Sequence, residues 1–215
     1  NVEPKVSGNS IFTNHFKKSA DQDTCVEYPK QFTSDLIISR DDESKGSKCF
    51  SMNIIALFFA SFNGVTEDLN IHNISLIIVG GNFLNMLTNG NVNSNQLPVQ
   101  ITFKNVTGSI KKLYEHMDYF KVKALDEVLE HTFSSHPTWI LIIDDEHSVA
   151  IFRLENNFHM FNAHGCKTVE FASITVYDSI NDLSKDILEI CEENSNFKLL
   201  PISFVETDLI LTANV

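Results

Sequence analysis

Two residues in this sequence have the types and the surroundings to do nucleophilic chemistry together, a cysteine at position 49 and a histidine at position 164. Cys49 stands directly behind Gly46, Ser47 and Lys48, at the head of a run to Phe62 that is apolar nearly all round. Such a run predicts a helix in the middle of a domain, with Ser47 as its N-cap and Gly64 as its stop. A helix N-terminus carries about half a positive charge and N–H groups with no intrahelical acceptor, which favours a thiolate over a thiol. The same N–H groups can hold an oxyanion beside the sulfur. Taken alone, Cys49 fits a small buried apolar residue better than a catalytic one, as most free cysteines do.

The partner segment runs from Phe158 to Gly165. Residues two apart on a strand point to one face, so Asn162 and His164 are expected side by side, the Asn162 amide oxygen accepting from a ring N–H of His164. A third group held in that way fixes the tautomer and orientation of a general base. Cysteine, histidine and an Asn amide form the papain-type set for covalent catalysis. A metal site is not expected. Alternation sets His159 on the face away from His164 and Cys166, with no fourth ligand near, and Asp144 to His147 read as an exposed hairpin turn. No cofactor is implied.

The elements that must position these groups can be read in outline. Residues 1 to about 45 are polar, and we set an N-terminal arm at 1–30 and a single domain at 31–215. After the Cys49 helix comes a second helix from about Glu67 to Leu87, capped by Thr66, with Gly80 and Gly81 as a bend or break. Asn89 to Asn95 is a loop, Val99 to Phe103 a strand, and Leu125 to Phe133 a short helix. A meander follows, with strands at 138–143, 148–153 and 158–164. A further strand at 175–177, an amphipathic helix at 180–191 and a closing strand at 198–205 complete the chain. The fold class is α+β, a buried helix headed by the nucleophile packed against an antiparallel meander with flanking helices.

Composition narrows the partners. Hydrophobic residues make up 43% and charged residues 20%, enough apolar material for a proper core. Lys+Arg number 16 against Asp+Glu 28, a net charge of -12, and the lysines form no stripe. Nucleic acid and anionic lipid are therefore poor partners. The apolar runs fall short of the roughly 20 residues that a spanning helix needs. Four cysteines without paired spacing suggest reduced thiols. We expect a monomer in a reducing intracellular compartment, the cytoplasm, and, with no leader visible, a piece of a longer polypeptide.

The order of these features resembles a known family, the ubiquitin-specific cysteine protease domain of herpesvirus large tegument proteins, with its viral tegument-like deubiquitinase relatives. The resemblance rests on the Gly46-to-Cys49 turn leading into an apolar helix, and on a meander ending at Met160 to Gly165 in place of the family's Phe-Asp-x-His. Trp139 to Ile143, Val149 to Phe152 and Asp178 to Leu183 follow the family's course as well, so that the likeness spans roughly Gln31 to Glu206. It implies a papain-like fold and a deubiquitinase that hydrolyses the bond after the ubiquitin C-terminal Gly-Gly through a thioester. It implies ubiquitin or polyubiquitin as partner, and Gln31 as an oxyanion donor. The sequence departs from the family by carrying Asn162 where an Asp is usual, and by placing Gln31 eighteen residues before Cys49. Two other readings stay open, a catalytically weak or inactive ubiquitin-binding module and a cysteine protease for a ubiquitin-like modifier.

Overall fold

Every side chain from Cys49 to Ala60 is buried, and this run forms the central helix α1 (Lys45–Phe62). In the computed structural model the described residues are 30–33, 45–62, 71–103, 106–112, 120–121, 125–144, 147–164, 171–191 and 195–206. Residues 1–29 of the 1–30 arm, the Thr66 cap and the Gly64 stop lie outside them. In chain order the elements are β1 (Lys30–Thr33), α1, α2 (Ile71–Leu87), β2 (Gln100–Phe103), β3 (Val106–Lys112), β4 (Phe120–Lys121) and α3 (Leu125–Ser135). There follow β5 (Thr138–Ile143), β6 (His147–Leu154), β7 (Asn157–Asn162), β8 (Ser173–Tyr177), α4 (Ile180–Ile190) and β9 (Asn196–Glu206). Helices and sheet together make the α+β class expected.

The strands form one sheet in the order β1-β8-β7-β6-β5-β9-β3-β2, with β4 also on β9. Each of these pairings is antiparallel. Strand alternation divides its side chains between two cores. Ile140, Ile142, Ala150, Phe152, Phe161 and Leu200 pack with α1 and α2. Trp139, Leu141, Val149, Ile151, Met160 and Leu199 pack with α3 and α4 on the other face. Because helices cover both faces, β5 and β6 read as continuous apolar runs instead of alternating ones. Each large side chain removed from water here contributes about 1.5–3 kcal/mol.

Helix α2 runs unbroken through Gly80 and Gly81, where the sequence suggested a bend or break. The reason for glycine is the crossing with α1. A Cβ on Gly81 would lie 2.6 Å from the Cα of Met52 and 2.8 Å from its main-chain nitrogen. The two helices therefore touch backbone to side-chain-free backbone, three residues beyond Cys49. Helix α2 stops at Asn89 and Gly90, both left-handed (φ 51 and 73), a conformation that ends helices. Ser47 lies inside α1, which starts at Lys45, so it is not the N-cap. The helix extends backwards over Lys45, Gly46 and Ser47 despite the roughly 1 kcal/mol that a glycine costs there. Strands β1, β3 and β4 were not anticipated. Among the described residues no helix is long and apolar enough to cross a membrane.

Candidate active site

Cys49 is buried near the start of α1, and its Sγ meets Nε2 of His164 across 115 residues of sequence. The two arrive from opposite layers of the fold. Packing of α1 on β6 brings the sulfur to the end of the sheet, and β7 carries the imidazole there. A thiol against an imidazole nitrogen can pass its proton to the ring, leaving a thiolate beside an imidazolium. Because α1 starts at Lys45, Cys49 is its fifth residue and not its head. The field of the helix N-terminus falls off within the first turn, so the imidazole is the group that acts on the thiol.

The structure refines the Asn162 expectation. Strand β7 ends at Asn162, and Ala163 and His164 already form a turn. Asn162 Oδ1 accepts a hydrogen bond from the main-chain N–H of His164 at 3.0 Å, where the spacing had led to a ring contact. This is the bond by which an Asn side chain closes a turn two residues ahead. Asn162 is buried, so its bond holds the His164 backbone at a fixed exit from the strand. Gln31 lies on β1 with its Cα opposite Thr175 of β8, two strands away from β7. Its side chain lies outside the described residues.

Sequence reasoning assigned no role to His147. Its ring centroid lies 6.3 Å from that of His164, edge to face. The β6–β7 register held the signal, since Leu154 opposes Asn157 and Ala150 opposes Phe161. Extended three residues beyond its last pair, that register points 147 toward 164, although β7 itself ends at Asn162. His147 is exposed and His164 half-buried, so the pair opens the site toward solvent while Cys49 closes it from below.

The remaining titratable groups have structural explanations. His159 is buried, with its ring stacked on Phe152 at 5.0 Å and 7° between planes. Desolvation pushes its pKa down from 6.5 to about 4, against backbone hydrogen bonds that raise it. Asp144 caps the β5–β6 turn with φ 50, accepting from the Asn196 N–H at 2.8 Å. That bond, then one from Ser195, holds its carboxyl below the usual range. Cys191 donates to the Ile187 carbonyl at 2.9 Å, and burial, with Asp144 nearby, pushes its thiol up to about 12. Trp139 is core, its Nε1 donating to the His136 carbonyl at 2.7 Å. Among the described residues no three His, Cys, Asp or Glu side chains gather as a metal site would need. Cys166 lies outside them.

With this geometry in place, comparison with known proteins is informative. A family model described as herpesvirus tegument protein, N-terminal conserved region, matches residues 33–200. Among solved structures the chain is similar to the ubiquitin-specific protease encoded by murine cytomegalovirus tegument protein M48, in complex with a ubiquitin-based suicide substrate. The TM-score is 0.72 at 11% sequence identity, covering 85% of this chain and 89% of that one. No curated protein sequence matches. At such identity the likeness is one of fold, and the fold is the papain-like one that the resemblance implied.

Proposed function

The chain belongs to the family of herpesvirus tegument protein N-terminal conserved regions, and from that premise we propose that it is a deubiquitinating cysteine protease. The observation that carries the reading is the contact of Cys49 Sγ with His164 Nε2 inside this fold. Cys49 thiolate attacks the carbonyl of the ubiquitin C-terminal glycine, and the carbonyl electrons move to oxygen. In this reading the Gln31 amide is the donor that holds that oxyanion. As the C–N bond breaks, His164 gives its proton to the leaving lysine amine, and a thioester remains on Cys49. Water, losing a proton to His164, then attacks the thioester and restores the thiol. Asn162 fixes where His164 leaves β7.

In this reading residues 31–215 form one catalytic domain behind the 1–30 arm, as a region of a longer tegument polypeptide. It works as a monomer in a reducing intracellular compartment, with ubiquitin or polyubiquitin as substrate. The test is incubation with ubiquitin carrying a C-terminal electrophile, followed by intact mass. One ubiquitin adduct is expected on the wild type and none on Cys49→Ala. A folded wild type that forms no adduct yet retains ubiquitin would replace the enzyme with a ubiquitin-binding module. An adduct only with another modifier's C-terminus would change the substrate.

A further inference from the structure

One buried polar pair in the α1–sheet interface is left unexplained by the packing. Asn53 Nδ2 donates to Ser148 Oγ at 2.8 Å, and both residues are buried, Asn53 completely and Ser148 to 5% exposure. The neighbours on α1 are Met52, Ile54, Ile55 and Leu57, all apolar and buried. Asn53 Oδ1 is itself buried without a hydrogen-bond partner among the described residues. A half-satisfied amide is a stability cost of the kind that apolar residues of similar size avoid. Its presence in this interface therefore calls for a reason other than cohesion.

Position supplies one. Apolar contact is non-directional, so beyond the steric limit at the Gly81–Met52 crossing the apolar surface of α1 does not itself specify its rotation on the sheet. One residue of slip turns α1 by about 100° and moves it about 1.5 Å. A single directional bond in such an interface selects one register, as one buried Asn does between coiled-coil helices. Asn53 is one helical turn after Cys49, about 6 Å along the axis. Ser148 follows His147 on β6, whose ring lies 6.3 Å from His164. The bond thus ties the helix bearing the sulfur to the strand beside the imidazole.

We propose that Asn53 and Ser148 are positioning residues, whose hydrogen bond sets the rotation and depth of α1 so that Cys49 Sγ meets His164 Nε2. The inference rests on the Cys49–His164 pair of the proposed enzyme and is independent of which modifier is cut. Loss of the bond lets the sulfur leave the ring without unfolding the domain. Removing both partners leaves neither the Asn53 amide nor the Ser148 hydroxyl to satisfy.

The test reads the thiolate directly, by the rate of Cys49 alkylation with iodoacetamide across pH, located by peptide mass. Wild type, Asn53→Leu, Ser148→Ala and the double variant are compared, with urea unfolding of each. Wild type should react at about pH 6, where an ordinary thiol is inert. Each single variant should lose about tenfold of that low-pH rate, and the double no more than either single. The double should also regain the stability that the singles lose while its low-pH rate stays down. A structural role alone would return both together, and that result overturns the proposal. So do folded single variants with the wild-type pH profile. A wild type that alkylates only as an ordinary thiol overturns the Cys49–His164 reading and this inference with it.

Discussion

Gly81→Ala tests whether α2 sets the depth of the nucleophile. Alanine in place of glycine inside a helix gains about 1 kcal/mol in helix propensity. Against this, the new Cβ would stand 2.6 Å from the Cα of Met52, and ordinary contact begins at 3.4 Å. The obstacle is main chain and cannot rotate away, so the helices must part by about 0.8 Å, from 2.6 to 3.4 Å. Overpacking of this kind costs about 1–3 kcal/mol. The two terms partly cancel, giving a net loss of about 0–2 kcal/mol in urea unfolding. Activity has no such offset. Met52 is three residues after Cys49, and a displacement of about 1 Å at reacting atoms can cost about a hundredfold. Hydrolysis of a fluorogenic ubiquitin C-terminal amide should therefore fall at least tenfold in kcat while the domain stays folded. A variant gaining about 1 kcal/mol with wild-type kcat would refute the claim that this crossing fixes the position of α1.

Charging His159 should unsettle the fold. Its folded pKa of about 4 lies below the ordinary 6.5, so below 6.5 the unfolded chain takes up a proton that the folded chain refuses. Stability contributed by the neutral ring is present above 6.5 and falls toward 4 by about 3 kcal/mol. His159→Phe keeps a ring on Phe152 and should flatten that part of the unfolding free energy, whereas an unchanged slope would put the titration elsewhere. Cys191, with its thiol near 12, should stay unlabelled by iodoacetamide at neutral pH while Cys49 reacts, as peptide mapping would show. Asn162→Ala removes the acceptor for the His164 main-chain N–H at a cost of about 1 kcal/mol. A roughly fivefold loss of kcat with KM unchanged is expected in the fluorogenic assay.

Legibility in the sequence followed the physics of each element. Helix α1 and the β5–β6–β7 meander are apolar enough to declare themselves, and their ends carry Cys49 and His164. Strand β3 was invisible because it is polar and holds Gly108, whose missing side chain makes room for Phe62. A Cβ there would lie 2.7 Å from the Phe62 ring, so a packing requirement looks like a turn signal. Alternation placed Asn162 near His164 but could not see that the strand stops between them, which converts a ring contact into a main-chain one. Asn53 in an apolar helix announces burial but not its partner, since Ser148 is 95 residues away. His147 needed the register, which only the hairpin fixes.

The separation of 115 residues between sulfur and imidazole has a consequence during synthesis. A ribosome adding roughly 5–20 residues per second leaves α1 waiting on the order of ten seconds for the strand that ends at His164. Strand β9, which pairs with both β3 and β5, comes later still. For most of that interval the apolar faces of α1 have no sheet to cover them. Cys49 meanwhile lacks the base that would withdraw its proton. In the proposed enzyme, the order of translation itself would keep Cys49 quiet until the sheet that buries its helix is built.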